Sequence, residues 1–445
     1  MFKTVANAWK MPEFRNKILF TLFIIVIFRI GSVIPVPFLD TTALANLMGE
    51  SANNGTALGY LNMLSGGAFA QATLFALSIT PYINASIIMQ LLTVAVKPLE
   101  RMAKEGETGQ KKINNITRLL TVAIAVLSGT GYYFYLRNSV DAAGNRITMY
   151  NEGGAQVFSA IVIILTFTAG AAFLMWLGEQ VNKKGIGNGI SIILFAGIVA
   201  RMPQIITYLV EYFKQAVEYP SLFGKYFALV PIFVVIFFAL VWVIVFLHDS
   251  ERKIPVQYAK RVVGRKMYGG QSSHIPIKVG ATGVLPVIFA SSLLSIPSTI
   301  KMFLGDSVKD GFWGGFFDAF SSSGWIYCIV YALLIFLFSF FYITIQYNPI
   351  EMANNLKQHH GTIPGIRPGR PTSEYISKVL TKITFIGAVF LAIIALVPIV
   401  YAGIAGMGNV GLGGTSIIIL VGVALETVKQ MESQMMMRNY KGFLD

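Results

Sequence analysis

Long runs of apolar residues constrain this chain more than any other feature. The runs at 227–247 and 325–346 contain no charged residue, and each matches the length of about 20 residues that a membrane-spanning helix needs. Eight further runs are similar, although Arg201 interrupts the fifth early. The predicted spans are 18–34, 70–96, 119–136, 155–177, one that starts near 186, 227–247, 279–300, 325–346, 383–403 and 410–425. Charged residues form only 13% of the chain, against about 25% in soluble domains. We therefore predict an all-α polytopic membrane protein with ten transmembrane helices.

The basic residues predict how these spans are oriented. Most of the 35 lysines and arginines lie at the N-terminus and in the loops that fall on the same side of the membrane as the N-terminus. Because cytoplasmic loops carry an excess of lysine and arginine, both termini are expected in the cytoplasm. The net charge of +14 is then mostly cytoplasmic. Orientation alone, anionic lipid, or a cytoplasmic partner such as ribosomal RNA or an acidic protein each fits that basicity.

Ten spans divide into two halves of five, at 18–212 and 226–430. An odd number of spans per half makes the halves enter from opposite sides, which is the topology of an inverted repeat. Secondary transporters share that topology, but they place ionisable groups near the midplane, whereas the candidates here are aliphatic. A membrane-protein insertase that acts without a motor is a third class, and it has no need of a stiff cytoplasmic loop.

Signals for enzymatic chemistry are weak. The four histidines do not stand at metal-ligand spacing with acids, and the glycine-rich segment 185–189 has no Walker lysine. The single cysteine, Cys328, lies in an apolar run, so disulfides are not expected to contribute. The polar, basic segment 1–17 does not resemble a cleavable signal peptide. We predict no catalytic residue, no cofactor and no metal site.

Two segments between spans differ from ordinary connections. Residues 58–69 are semi-apolar and glycine-rich, and are either an interfacial loop or a re-entrant segment, which must be buried in protein or line water. Residues 359–372 contain three prolines, three glycines and two arginines. Proline fixes the backbone and glycine permits turns, so this second segment is expected to be a stiff cationic loop that a partner contacts.

A series of motifs resembles a known family along nearly the whole chain. They stand in order at 28–32, 34–37, 81–92, 185–191, 258–261, 270–276, 363–369 and 413–416. Together they resemble the SecY family, the large subunit of the bacterial protein-conducting channel. The resemblance implies two inverted five-helix halves around an hourglass pore in the cytoplasmic membrane. It also implies passage of unfolded secretory chains, and lateral release of apolar segments into lipid. SecE and SecG are the expected subunits, signal peptides the expected ligands, and SecA or a translating ribosome the expected source of energy.

The same resemblance implies a pore constriction. Ile79, Ile83 and Ile87 recur every four residues and so form one stripe of a helix, a pattern that by itself is typical of ordinary packing. They match constriction positions of the family, as do Leu194, Ile288 and Ile419. A ring of branched aliphatic side chains offers no hydrogen bonds, so water and ions cross it poorly.

Segment 58–69 corresponds to the plug of the family, which fills the outer funnel at rest. The implied plug residues are Gly59, Leu61, Leu64, Ser65, Gly66 and Gly67. A lateral gate is implied between helices 2 and 3 on one side and 7 and 8 on the other. Ser86 and Gln90 bond either across that gate or within their own bundle.

The chain departs from the family pattern at two places. Gly280 stands near where relatives usually have an asparagine, so Thr282 is the candidate to rebuild a polar gate contact. Phe38 stands where relatives usually have glycine. Arg29, inside the first span, either faces protein or extends to the interface.

The resemblance also implies that loops 248–278 and 347–378 are the cytoplasmic docking surface, between an amphipathic N-terminus at 1–17 and a tail at 431–445. The candidate docking residues are all basic: Arg252, Lys253, Lys260, Arg261, Arg265, Lys266, Lys357, Arg367 and Arg370. Arg367 is the foremost of them, because a backbone held by Pro368 presents its guanidinium to carboxylates or phosphates with little loss of entropy.

Overall fold

The computed structural model of the chain is mainly helical. It describes residues 8–44, 62, 65–139, 146–150, 152–258, 261–263, 266–268, 272–280, 283–304, 315, 324–407 and 413–441. Of the predicted site residues, Gly59, Leu61, Leu64, Lys260, Arg265 and Thr282 lie outside the described residues.

Six helices lie in the described residues of the first half of the chain. They are α1 (Pro12–Gly31), α2 (Thr80–Ala95), α3 (Lys97–Lys104), α4 (Glu107–Asn138), α5 (Gly153–Lys184) and α6 (Gly189–Glu218). Proline begins α1, α2 and α3 at a position where its missing N–H costs nothing. Asn188 caps α6, because its side chain accepts a hydrogen bond from the Ile190 N–H at 3.1 Å. A two-pronged ion pair from Arg118 to Glu179, at 2.6 Å for each prong, ties α4 to α5.

The described residues of the second half contain seven helices and all five of the described strands. The helices are α7 (Pro220–Phe223), α8 (Tyr226–Asp249), α9 (Leu285–Leu304), α10 (Trp325–Gln346), α11 (Pro349–Gln358), α12 (Arg370–Ala405) and α13 (Gly414–Lys441). The strands are β1 (Glu251–Tyr258), β2 (Arg261–Val263), β3 (Lys266–Tyr268), β4 (Ser272–Lys278) and β5 (Gly361–Thr362).

Each of the ten predicted spans corresponds to a helix. By length and composition, seven helical segments of the described chain can cross a membrane, and eight can if α2 and α3 are one span bent by 99°. The remaining two runs are α1, which carries several charged residues, and α9, whose apolar part is shorter.

Two predicted boundaries were wrong. Helix α2 begins at Thr80 rather than near residue 70, because residues 65–79 form turns. Helix α6 continues through Arg201, which interrupts the apolar run, and through Pro203. Helix α13 extends to Lys441, well beyond residue 425. The residues after 425 are polar, but most of them have a high helix propensity, so the helix continues past the apolar run.

The sequence did not predict the strands. Three of them, β1, β4 and β5, form an antiparallel sheet at one end of the molecule, and β2 pairs with β3 in a separate two-stranded sheet. Antiparallel β1 and β4 pair from Glu251↔Lys278 to Gln257↔Ser272, and β5 pairs with the end of β1 at Tyr258↔Gly361. The loop after α8 is therefore joined to the loop after α11. We call this end the sheet face and the opposite end, where residues 65–79 lie, the plug face.

Candidate functional site: a central apolar junction and its two faces

The six aliphatic residues predicted to form a constriction belong to one extended apolar core, which also includes buried residues of α1, α5, α8, α10 and α12. Five of them are buried, with at most 9% of each residue exposed, and Ile288 is half-buried and packs against the same core. They come from four elements: Ile79, Ile83 and Ile87 from the start and body of α2, Leu194 from α6, Ile288 from α9 and Ile419 from α13. We call these six residues the aliphatic junction, and none of their side chains can form a hydrogen bond with water.

Side chains, rather than a helix or sheet, hold the turn at residues 65–70 on the plug face. The Asn62 side chain accepts a bond from the Ala70 N–H at 3.0 Å, and its backbone carbonyl accepts from the Gly67 N–H at 2.9 Å. The Ser65 hydroxyl donates to that carbonyl and accepts from the Phe69 N–H, both at 3.0 Å. These bonds satisfy buried backbone groups that no helix or strand pairs. We call residues 62 and 65–70 the plug turn.

The tip of the plug turn touches two helices. Gly66 has a positive φ of 67°, and the Arg29 Nη1 of α1 donates to its carbonyl at 3.4 Å. A Cβ added at Gly66 would lie 3.1 Å from the Cα of Gly197 on α6. Glycine is therefore required here for both its backbone conformation and the close approach. Arg29 faces protein, which decides between the two alternatives that its sequence position left open.

An aromatic stack supports the plug turn from the side of α4. Tyr132 is fully buried, its ring stacks on that of Phe69 with centroids 4.3 Å apart, and its hydroxyl donates to the Phe69 carbonyl. Sequence analysis did not identify Tyr132, because a tyrosine inside a span is indistinguishable from interfacial or packing tyrosines without its partner.

The contacts of Phe38 show why a phenylalanine can stand where the family pattern has glycine. Its φ is +67°, a left-handed conformation that suits the glycine expected from the family pattern. The phenylalanine ring instead meets the rings of Tyr150 and Phe158, with centroids 5.8 Å and 6.1 Å away. Aromatic contact thus offsets backbone strain at this position.

A cavity of about 410 Å³ lies along the seam where the two halves meet. Helices α2 and α4 line one side, and α9 and α10 line the other. Most of its lining is apolar, but Thr80, Asn84, Ser292 and Ser295 contribute polar groups. Sequence analysis missed these four residues, although Thr80 and Asn84 stand four apart and therefore share a helix face.

Of the gate residues predicted from sequence, Ser86 and Gln90 bond to each other, and Thr282 lies outside the described residues. Gln90 Nε2 donates to Ser86 Oγ at 3.3 Å within α2, which is the bond within the bundle rather than the bond across the gate. Gly280 packs against the end of α8, where a Cβ would lie 3.4 Å from the Leu247 carbonyl oxygen. That distance is ordinary contact, so a larger residue at 280 meets no severe clash from its Cβ.

The candidate docking residues lie at the sheet face. Arg252 and Lys253 are exposed on β1, and Lys357 is exposed near the end of α11. Arg261 and Lys266 lie in β2 and β3. Two ion pairs involve this set: Lys253 with Glu251 at 3.1 Å, and Arg370 with Glu374 at 3.0 Å.

Buried apolar residues fix the backbone on which Arg367 stands. Ile363 is 4% exposed and belongs to a small core with Ile254 of β1 and Leu356 of α11. Ile366 packs on the same core, and its N–H donates to the Ile363 carbonyl at 3.0 Å. The Arg367 carbonyl accepts a bond from the Thr372 hydroxyl at 2.9 Å, while the Arg367 residue is exposed. The loop therefore presents a cation on a rigid support. We call residues 361–369 the docking loop.

Lys429 of α13 connects that helix to the end of α8, just before β1. Its Nζ donates to Asp249 Oδ1 at 2.7 Å and to the His248 carbonyl at 3.4 Å. The strand β1 begins two residues later, so its position is coupled to α13 as well as to α8. Within the described ranges, no group of three or more His, Cys, Asp or Glu side chains is placed to hold a metal ion.

Comparison with known proteins gives a consistent result. A SecY family model matches residues 73–428. The Protein translocase subunit SecY of Streptomyces scabiei is 45% identical over 449 residues, with 100% of both chains covered. The protein of the same name from Bacillus licheniformis is 42% identical, also over 100% of both chains.

Solved structures share the fold at low identity. One described as "The structure of a protein conducting channel" has a TM-score of 0.59 and 19% identity, over 96% of both chains. Another, of Sec61 in the canine ribosome-channel complex from the endoplasmic reticulum, has a TM-score of 0.58 and 18% identity, over 96% of both chains.

Proposed function

The chain belongs to the SecY family, and we propose that its polypeptide path crosses the junction of six aliphatic residues described above. The protein is a protein-translocation channel and not an enzyme. The observation that carries the proposed path is that all six side chains belong to one extended core in which α9 packs against α2 and α13, and α13 packs against α6. Within that core, Leu194 stands three residues before Gly197, which approaches the plug turn at Gly66. Flexible aliphatic side chains can contact a passing polypeptide of any sequence. They form no hydrogen bond with it that would have to break as it moves.

The plug turn is proposed to seal the plug side of this junction at rest and to move when a chain enters. Its contacts with α1 and α6 are one long hydrogen bond and one backbone-to-backbone approach at Gly66. Both separate without breaking interlocked side chains. The predicted plug residues Ser65, Gly66 and Gly67 belong to this turn, and the proposal includes Gly59, Leu61 and Leu64 from the sequence pattern alone.

The seam cavity is proposed to be the lateral gate, where signal peptides and apolar segments leave the pore for lipid. An apolar groove between two helix pairs suits an apolar helix. Thr80, Asn84, Ser128, Ser292 and Ser295 line this cavity, whereas Ser86 and Gln90 do not. The proposal includes Thr282 from the sequence pattern alone.

The sheet face is proposed to bind the source of energy, either the SecA motor or a translating ribosome, on the bacterial cytoplasmic side. Two of the matched structures are described as ribosome complexes, one of Sec61 and one of yeast Ssh1. The exposed basic residues of β1 and the docking loop provide the charge that phosphates or carboxylates require. Both termini are proposed to be cytoplasmic, and SecE and SecG to complete the complex.

Crosslinking from a stalled secretory chain tests the proposed path. A photoreactive residue in the chain should crosslink to cysteines or probes placed at Ile83, Leu194 and Ile288. Val199 is the matched control, because it is also on α6 but is 40% exposed on another face of that helix. Equal crosslinking at Leu194 and Val199 would show that the path does not follow the aliphatic junction.

A further inference from the structure

Arg201 lies on the face of α6 that lines the proposed path. Leu194 belongs to the aliphatic junction and Gly197 touches the plug turn at Gly66. Steps of three and four residues place Leu194, Gly197 and Arg201 on one helix face. At 1.5 Å per residue, Arg201 is about 6 Å beyond Gly197 toward the plug face. It therefore lies just outside the constriction. We call the space on that side of the junction the outer funnel.

The surroundings of Arg201 are polar along the helix. Its Nη2 donates to Gln204 Oε1 at 3.5 Å, and Gln204 Nε2 donates to the Tyr208 hydroxyl at 3.0 Å. Its Nε is buried and has no hydrogen-bond acceptor among the residues that the structure describes. An arginine at membrane depth is costly unless it faces protein or a water-filled cavity. A polar stripe of this length on a spanning helix thus indicates a wet surface.

A second arginine stands on the other side of the plug turn, but its charge is engaged. Arg29 Nη1 donates to the Gly66 carbonyl, whereas Gly66 approaches α6 only through the backbone of Gly197. No acidic partner of Arg201 occurs within the described residues. Neither guanidinium has a carboxylate partner within the described residues, but Arg29 bonds the plug turn itself, whereas the hydrogen bond of Arg201 is to Gln204 of its own helix.

We propose that Arg201 is an ion-selectivity residue of the outer funnel, favouring small anions over cations when the channel is open. This inference rests on the proposed path past Leu194. For an ion that passes about 6 Å from a unit positive charge in a medium as polar as water, the local concentration of a monovalent anion rises about threefold and that of a cation falls by the same factor. The permeability ratio of chloride to potassium should therefore depend on the charge at position 201.

The test is the reversal potential of the complete channel complex in planar bilayers under a KCl gradient. The channel is opened with a synthetic signal peptide. The reversal potential of the parent channel should be shifted from zero toward the equilibrium potential of chloride. Arg201→Gln should reduce the chloride-to-potassium ratio by roughly tenfold or somewhat less, because salt screens the charge. Arg201→Glu should shift the reversal potential toward the equilibrium potential of potassium. The reversal potential of Arg201→Lys should stay near that of the parent.

Lys214→Gln is the matched control, since Lys214 is an exposed cation of the same helix on another face. It should leave the reversal potential unchanged. Ile83→Gly tests the path separately, because widening the junction should raise conductance whatever the selectivity. If Ile83→Gly raises conductance and Arg201→Glu conducts with the parental reversal potential, the selectivity role of Arg201 is wrong and the path stands. If neither variant changes conduction, the proposed path itself is wrong.

Discussion

The plug turn and the docking loop are both irregular, glycine-rich segments, yet opposite kinds of contact hold them. Each contains two glycines with positive φ: Gly66 at 67° and Gly67 at 94°, and Gly365 at 80° and Gly369 at 102°. The plug turn is buried, and polar side chains tie its backbone. The docking loop is anchored by buried isoleucines and leaves its cation exposed.

This difference in contacts matches a difference in required motion. A net hydrogen bond contributes only about 1 kcal/mol, so the bonds from Arg29 to Gly66 and from Tyr132 to Phe69 add little to the attachment of the plug turn to the helices. A buried isoleucine contributes about 2–5 kcal/mol relative to alanine, so the buried Ile363, with the half-buried Ile366 beside it, holds the docking loop more firmly. This difference supports the proposal that the plug turn moves and the docking loop does not.

Reversing the charge of the docking loop should have the largest effect. Arg367→Glu should abolish transport driven by the cytoplasmic motor, because the exposed guanidinium becomes a carboxylate that repels an acidic or phosphate partner. The fold should not change, since the Thr372 hydroxyl bonds the Arg367 backbone carbonyl rather than its side chain. ATP-dependent translocation into vesicles measures the loss.

Lys378→Glu is the charge-matched control for Arg367, because Lys378 is exposed on the helix that follows the docking loop. It should retain most of the transport. Comparable losses in both variants would mean that general basicity, rather than a positioned residue, carries the docking.

Removing an anchor should have the next largest effect. Ile363→Ala should destabilise the local core of the docking loop by about 2–5 kcal/mol, since Ile363 is 4% exposed. Transport should fall even though Arg367 is present. Ile350→Ala is the control, because Ile350 is 64% exposed on α11. Hydrogen exchange across 361–369 should accelerate in the first variant only, and unchanged exchange there would contradict the anchoring role.

Removing one hydrogen bond of the plug turn should change the stability less, but it should measurably increase ion leakage through the resting channel. Asn62→Ala removes the acceptor of the Ala70 N–H and leaves that buried donor unpaired, at a cost of about 1–3 kcal/mol. The resting channel should leak ions more often, as single-channel recordings without any substrate can show. Asn114→Ala, at an exposed site of α4, should remain closed. A sealed Asn62→Ala channel would mean that these bonds do not hold the plug turn.

The contrast between the two segments also separates what the sequence can predict from what it cannot. The spans were predictable, because apolar length decides them, and so was the exposed position of Arg367 between turn-forming residues. The start of α2 was not, since residues 70–79 are apolar enough to extend a helix and only their tertiary bonds make them turns.

The other features that the sequence did not predict depend on contacts between residues far apart in the chain. Asn84 and Ser292 share a cavity only after the halves pack, and β5 pairs with β1 across about a hundred residues. For Ser86 and Gln90 the sequence left open a bond across the gate or within the bundle, and the local bond within α2, four residues apart, is the one that forms.

Phe38 should give the smallest effect and the sharpest test of how the plug face tolerates strain. A left-handed conformation costs a non-glycine residue about 1–2 kcal/mol, and each aromatic pair returns about 0.5–1.5 kcal/mol. Phe38→Gly loses both the strain and the contacts with Tyr150 and Phe158, so its stability should stay close to that of the parent. Phe38→Ala keeps the strain without the contacts and should be the least stable of the three. Thermal unfolding in one detergent ranks them, and an alanine variant at least as stable as the glycine variant would show that residue 38 is not strained.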